Sequence, residues 1–504
     1  MDDLHPRVRA VCDLMMLEVR EFAGRHEYDG RVPDLSRSGV RAALDRLGRG
    51  GPLDDEHDEA HLAAFEAALR VSLGELEQHR VNPLLHLDGF DLAGYDKEYA
   101  PAEERRRARD THLSSWPESA DAAVSTLDRV NAPVARALLP AVRGLAHAVP
   151  ADVPDGVRAA ALEAHGRFVR HLERAAAEGD PSARLGAAQL ASLMGTGEAL
   201  QVDLDRLAER ADVERDRLTG LLAEASARID PSRPALEVAR ELVRDHPSGE
   251  GVMEAAREVT EEAIAFTRER GLVPYADGEC RVGPTPESRR WSVAMVTWAA
   301  PAEPEGPTWY HITPPDPAWP DRDIEEWLQL FSATTLPAIT VHEVAPGHYS
   351  HGRALREAVG DVRRTLFSST FVEGWAHYAE EVCVEEGFRA DDPRFAIGVW
   401  LEALVRVTRL ACALGVHAGE MTVEEGARRF ESDTHLAGPA ALSEAQRATF
   451  DPTYGRYTWG KLEIMALRER AREAWGAEFS LSRFHRALLD LGAPPLGLIG
   501  NALR

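Results

Sequence analysis

The sequence predicts a mainly α-helical protein of two lobes sharing one cleft, with a small β-hairpin or sheet inserted between long helical stretches. Three features of the chain point there. Its 504 residues are enough for a large core. Apolar residues recur at three- and four-residue steps through most of its length, the period of a half-buried helix. Strand-like composition is confined to one Pro- and Gly-rich stretch, Pro274 to Pro317.

Residues 1–270 read as an N-terminal helical lobe. Asp54 to Arg80 and Leu204 to Ile229 are the strongest amphipathic stretches, and Asn131-Ala132-Pro133, Pro150 to Pro154, Asp180-Pro181 and Pro231 to Pro234 separate the helices. The run ERRRAR, Glu104 to Arg109, reads as a solvated helix face. Residues 271–504 read as a second lobe, one catalytic unit with the first. Within 271–317, WSVAMVTWA (Trp291 to Ala299) and TWYHIT (Thr308 to Thr313) predict two short strands, either a sheet edge for an extended substrate or a structural hairpin. From Asp321 to 504 helices resume. Asp392 to His417 is one long apolar helix, Thr422 with Glu425 is a capping box, and Ser480 caps a helix ending near Gly492, before Pro494-Pro495.

A net charge of −26, from 58 basic and 84 acidic residues, argues against nucleic acid or an anionic membrane as partner. The expected partner is a peptide or small-molecule substrate. Cys12, Cys280, Cys383 and Cys412 lie far apart and predict reduced thiols in the core. The N-terminal segment MDDLHPRVRAVCDLMM carries no apolar signal core, and no run is long enough to span a bilayer. The expected compartment is the cytoplasm.

The stretch with the most chemistry is TTLPAITVHEVAPGHYSHG, Thr334 to Gly352. It sets Glu343 beside His342 and places His348 and His351 beyond a Pro346-Gly347 step. In a continuous helix His348 would lie about 240° round from His342, so the two rings could not share an ion. Pro346 cannot donate to the carbonyl of His342, and Gly347 accepts unusual dihedrals. A kink or bulge there brings His348 back toward His342; a simple helix end leaves the histidines on the surface. Downstream, Glu373, His377 and Glu380 recur at four and three residues and share a helix face. Two imidazoles and a carboxylate make a zinc set with an open position, and the same donors suit iron, manganese or cobalt. In that arrangement Glu343 is the base and Glu380 orients a ligand imidazole. His417, Tyr454 and Tyr457 are candidate oxyanion donors, and Arg409 and Arg456 candidate partners for a substrate carboxylate. His351 is a candidate substrate contact or added ligand, and His377 a packed histidine, a substrate contact or an extra ligand, with packing or substrate contact favoured.

HEVAPGH (His342 to His348) with FVEGWAHYAEE (Phe371 to Glu381) resembles the bacterial domain-of-unknown-function 885 family, which in turn looks like the Taq-type metallocarboxypeptidases: helical, two-lobed, with a deep groove. The resemblance covers at least Trp291 to Leu496, including RLACALGVH, RYTWGK and LGAPPL, and Asn82-Pro83-Leu84 extends it to the N-terminal part. It implies a zinc-peptidase-like site with His342, His348 and Glu373 as ligands, Glu343 as base, and His417 and Tyr457 in the groove. Three positions depart from the family: His351 stands where Gln is usual, His377 where an aliphatic is usual, and Ala413 where Asp is usual. The first expectation is therefore a zinc-dependent hydrolase of peptidase type. The second is a metal-dependent lyase or oxygenase acting on a small metabolite, and the third a helical scaffold with an inactive site.

Overall fold

The computed structural model describes residues 4–286, 289–290, 292–303 and 306–504. Helices follow one another from Pro6 to Arg270 and again from Asp321 onward, where the periodicity places them. Side-chain caps define several starts. Asp203 accepts from the N–H of Arg206 to open Leu204–Ala227, Asp392 accepts from Arg394 to open Pro393–His417, and the Thr422/Glu425 capping box opens Val423–Asp433. The expected helix over 54–80 is shorter. It runs Glu56–Leu69, loosens into a π turn over Arg70–Glu75, and resumes as Gln78–Val81. Ser72 and Gly74, both weak helix formers, fall inside the loosened turn. Gly271 ends Val252–Arg270 with φ +59°, a left-handed position that glycine adopts without steric cost.

The strand region holds three strands, β1 (Cys280–Pro284), β2 (Ala294–Thr297) and β3 (Thr308–Ile312), in the order β1-β3-β2. β2 pairs with β3 antiparallel, and β1 pairs with β3 in parallel. The sequence reading finds β2 and β3, with β2 ending at Thr297 rather than Ala299; Trp291, where that strand was expected to begin, lies outside the described residues. β1 is missed because CRVGP carries Arg, Gly and Pro and no apolar alternation. Its pairing is a tertiary event. At the centre of the sheet, Tyr310 faces Val282 and Val296 and is fully buried. Its hydroxyl lies 3.3 Å from Thr340 Oγ1, which ties the sheet to the helix carrying His342.

The largest apolar cluster joins Leu207, Leu218 and Leu222 to Leu401, Leu404, Trp375, Val382, Ile464 and Leu467. Helices on both sides of Gly271 thus share one core, and that glycine marks a change of secondary structure inside continuous packing. Residues 87–183 bury a further cluster, and residues 4–73 bury another together with Val362 and Leu366. The chain's two lysines are both buried against carboxylates, Lys97 at 2.6 Å from Glu303 and Lys461 at 2.6 Å from Glu381 and 3.0 Å from Glu214. All four cysteines are free, three of them buried. Among the described residues, no helix is long and apolar enough to cross a membrane.

Candidate metal centre

The helix Leu336–Glu343 does not kink at Pro346; it stops. Val344 leaves helical dihedrals (φ −108°, ψ −104°), the Ala345–Pro346 peptide is cis, and a new helix, His348–Glu357, begins at once. Gly347 lies against the preceding turn so closely that a Cβ would overlap the carbonyl oxygens of His342 and Val341. Only glycine fits. Trp375 holds the corner from the other side, its Nε1 donating to the Pro346 carbonyl at 3.0 Å. The result is two imidazoles turned toward one point, with ring centroids 4.8 Å apart and planes at 84°.

The helix Ser369–Glu385 supplies the carboxylate. It crosses Arg456–Trp475 at a glycine contact, where a Cβ on Gly374 or Gly460 would overlap the opposing backbone. This close approach carries Glu373 and Tyr457 toward the same side. Glu373 Oε2 stands 3.5 Å from His342 Nε2 and 3.4 Å from His348 Nε2. The three donor atoms lie within 4.8 Å of one another. A tetrahedral ion bound at about 2.0–2.1 Å separates its ligands by about 3.3–3.4 Å, so the two measured spacings suit ligands of one ion.

Glu380, one helical repeat beyond Glu373, is fully buried and accepts from His342 Nδ1 at 2.6 Å. Its other oxygen accepts from Arg406 Nη1 at 3.0 Å. With Nδ1–H committed to Glu380, Nε2 is the nitrogen that faces Glu373, and loss of its proton would free a lone pair for an ion. Burial and the Arg406 charge press on the His342 imidazole to stay neutral, but the hydrogen bonds to Glu373 and Glu380 more than reverse this and raise its pKa to about 9. Burial would lift Glu373, yet the two imidazoles hold its carboxyl well below the usual range.

Glu343 is half-buried beside this cluster and makes no hydrogen bond among the described residues. Burial raises its pKa, the His348 and His342 charges oppose the rise, and Glu373 adds to it. Tyr457 lies with its ring nearly parallel to that of His342, 6.3 Å away. Burial, then the charge of Glu373, keeps its phenol protonated. Arg406 and Arg409 flank the ring at 5.8 and 5.4 Å.

Several expected groove residues stand elsewhere. His417 closes the helix Pro393–His417, eleven residues past Arg406, or roughly 16 Å along the axis. It is buried with Nε2 donating to the Ala448 carbonyl at 2.6 Å, so it is no oxyanion donor. Tyr454 is fully buried and donates to the Glu444 carbonyl at 2.7 Å, which removes it from substrate contact. Arg409 is spent on Glu444 through two 2.7 Å hydrogen bonds. His351 lies three residues past His348 but turns inward, with Nε2 at 3.2 Å from the Gly492 carbonyl and its ring against Trp298 and Phe371. Burial lowers its pKa to about 3. His377 packs beneath Glu380, with Nδ1 3.5 Å from Oε2, and burial likewise lowers it to about 3. Neither is placed to touch substrate. Arg456 donates to Asp451 and, at 2.9 Å, to Thr453 Oγ1.

Two residues escape the sequence reading. Arg406 joins the Glu380 carboxylate to the Tyr457 ring. Arg447 reaches the other oxygen of Asp451 at 3.3 Å, so two guanidiniums, Arg447 and Arg456, share one carboxylate. Arg406 acts through Glu380 and Tyr457, both distant in sequence, whereas Arg447 pairs with Asp451 four residues on, a spacing common on any helix surface.

A family model matches residues 18–503, nearly the whole chain. The chain belongs to the family described as bacterial protein of unknown function, DUF885. Among curated proteins, none matches it. Two solved structures share the fold. One, from Shewanella oneidensis, is described as a proposed lipoprotein of unknown function; it is 19% identical, covers 98% of this chain and 97% of its own, with a TM-score of 0.75. The other, from Colwellia psychrerythraea, is also described as a proposed lipoprotein; it is 17% identical, covers 99% and 97%, with a TM-score of 0.80. At such identities the likeness concerns fold alone.

Proposed function

We infer that this DUF885 protein is a metal-dependent hydrolase of peptidase type, cleaving a peptide or small amide conjugate in a groove between two lobes. The observation that carries the reading is the convergence of His342, His348 and Glu373 on one point, with Glu343 unpartnered beside them. His342, His348 and Glu373 would hold a zinc ion. Such an ion supplies Lewis acidity toward a carbonyl and toward water.

The chain's own groups do the rest. Glu343, its carboxyl raised by burial above the ordinary value, takes a proton from the attacking water and returns it to the leaving nitrogen. Tyr457, protonated and with no hydrogen bond committed among the described residues, donates to the developing oxyanion. Glu380 fixes the tautomer of His342, and Arg406 holds Glu380. Arg447 and Arg456, two cations on one carboxylate, leave a surplus positive charge for an anionic group of the substrate, in a protein whose net charge is −26. The likeness to Taq-type carboxypeptidases and a cytoplasmic site of action belong to the same reading, the first as fold analogy.

The lyase or oxygenase alternative drew on the two-His, one-carboxylate donor set and on His351 and His377; the donor set serves either reading, whereas His351 is spent on Gly492 and His377 packs against Glu380. The test is Glu343→Gln on protein with its metal quantified. Metal is expected to stay stoichiometric while peptide or amide turnover falls by about 10²–10⁴-fold. Unchanged turnover in that variant would refute the hydrolase mechanism.

A further inference from the structure

A second cavity, of about 230 Å³, lies beside the helix Met16–Ala23. Its walls are apolar, with Met15, Leu17, Phe65, Leu69 and Leu73 prominent among them, and Glu18 stands in the lining. Glu18 is unusual. Its side chain is open to solvent, and it makes no hydrogen bond or ion pair among the described residues. Burial nevertheless raises its carboxyl, and only the charge of Arg456 draws it down. Glu18 is thus a solvent-accessible carboxylate set among apolar side chains.

The cavity's position follows from a chain of contacts. Glu18 and Phe22 are four residues apart, on one face of the helix. Phe22 meets Trp298 edge-on at 5.5 Å, and Trp298 donates from Nε1 to the Phe22 carbonyl at 2.9 Å. Trp298 in turn lies 6.4 Å from the ring of His348. Glu18 thus stands one helical turn from a residue that touches the wall of the metal centre. Arg456, whose charge Glu18 feels, neighbours Tyr457.

We propose that this cavity is a binding subsite for an apolar group bearing an amine, with Glu18 as the counter-ion of the ammonium. A hydrophobic body removes the lining from water, at about 25 cal/mol per Å² of apolar surface covered. The amine gives the Glu18 carboxylate, which makes no ion pair among the described residues, a positive charge at close range. Neutral and anionic apolar ligands gain the first term without the second. Only the assignment of this subsite to the substrate of the metal centre, as the place of its hydrophobic, amine-bearing residue, rests on the hydrolase reading; the binding itself does not.

The experiment is calorimetric titration of the full chain with 2-phenylethylamine, and with 2-phenylethanol and 3-phenylpropionate as controls. Saturable binding of the amine is expected at millimolar concentration, with the other two weaker. Glu18→Gln should weaken the amine at least tenfold and leave 2-phenylethanol unchanged. Ser72→Phe, which fills the cavity, should abolish both, with circular dichroism and melting confirming that it folds. His348→Ala should keep amine binding, so failure of the metal reading would not be mistaken for failure of this one. Equal amine binding by wild type and Glu18→Gln, or no saturable binding by wild type, overturns the proposal.

Discussion

The His342–His348–Glu373 cluster and the helical shell around it both bury histidines, and what separates the two regions is the partner each ring meets. His342 meets a carboxylate through each nitrogen, and His348 faces the same Glu373. In the shell the partners are backbone carbonyls: His86 on His79, His112 on Gly89, His417 on Ala448 and His485 on Leu272, at 2.6 to 2.8 Å. A neutral imidazole satisfies a carbonyl by donating once, and the ring then serves as packing. A ring between carboxylates is held in an electrostatic well that also suits a cation. Burial alone does not distinguish a ligand from a spacer, nor does one nearby carboxylate, since His377 lies 3.5 Å from Glu380; what sets His342 and His348 apart is that both face the same Glu373 oxygen.

The comparison breaks most visibly at the ligands. Replacing His348 by Ala should abolish stoichiometric metal, measured by elemental analysis of purified protein. Replacing His351 by Phe, three residues on, should leave metal bound, because His351 is spent on Gly492 and on its aromatic neighbours. Loss of metal in the His351 variant would put that ring in the wrong class. Glu380→Gln tests the next layer. It keeps the shape but no longer offers His342 a charged acceptor, so metal affinity should fall by about 10–100-fold, read by competition with a chelator.

Acid sharpens the contrast in the shell. Burial lowers His61 to about 3 and His86, His112 and His485 to about 4. The unfolded chain carries histidines near their ordinary value of about 6.5. Below that value the unfolded state binds more protons than the folded one, so stability falls as the solution is acidified. The stability these neutral rings contribute is full above about pH 6.5 and drains away down to about pH 3–4. Urea midpoints measured between pH 7 and pH 4.5 should decline steadily, and a flat profile would contradict the neutral-ring assignment.

The sequence made local facts legible and left partnerships dark. Caps at Thr422 and Ser480 were readable because their bonds close within three residues. Glu373 and Glu380 were readable as one face of a helix, and both do reach His342. The proline step was readable as a disruption, although its form, two helices meeting at a corner, depends on Trp375 from another helix. His417, Tyr454 and Arg409 were misplaced because their partners, Ala448 and Glu444, lie ten to thirty-five residues away and appear in no motif. Arg447 was missed although Asp451 lies only four residues on, because one such pair does not announce that Arg456 shares the same carboxylate; β1 was missed because nothing near it announces the parallel edge of β3.

The smallest effect expected is also the one that most directly opposes position in a motif to position in space. His417 sits in a stretch that the family resemblance places in the groove, yet its ring is buried on the Ala448 carbonyl, far down the helix from Arg406. His417→Ala removes that donor and strands a buried acceptor, at a cost of about 1–3 kcal/mol. The melting temperature should drop while metal content, and any turnover that depends on Glu343, stay as they were. A variant that melts normally but loses turnover would return His417 to the groove, and the partner rule that separates the two regions would fail at the residue where it makes its boldest claim.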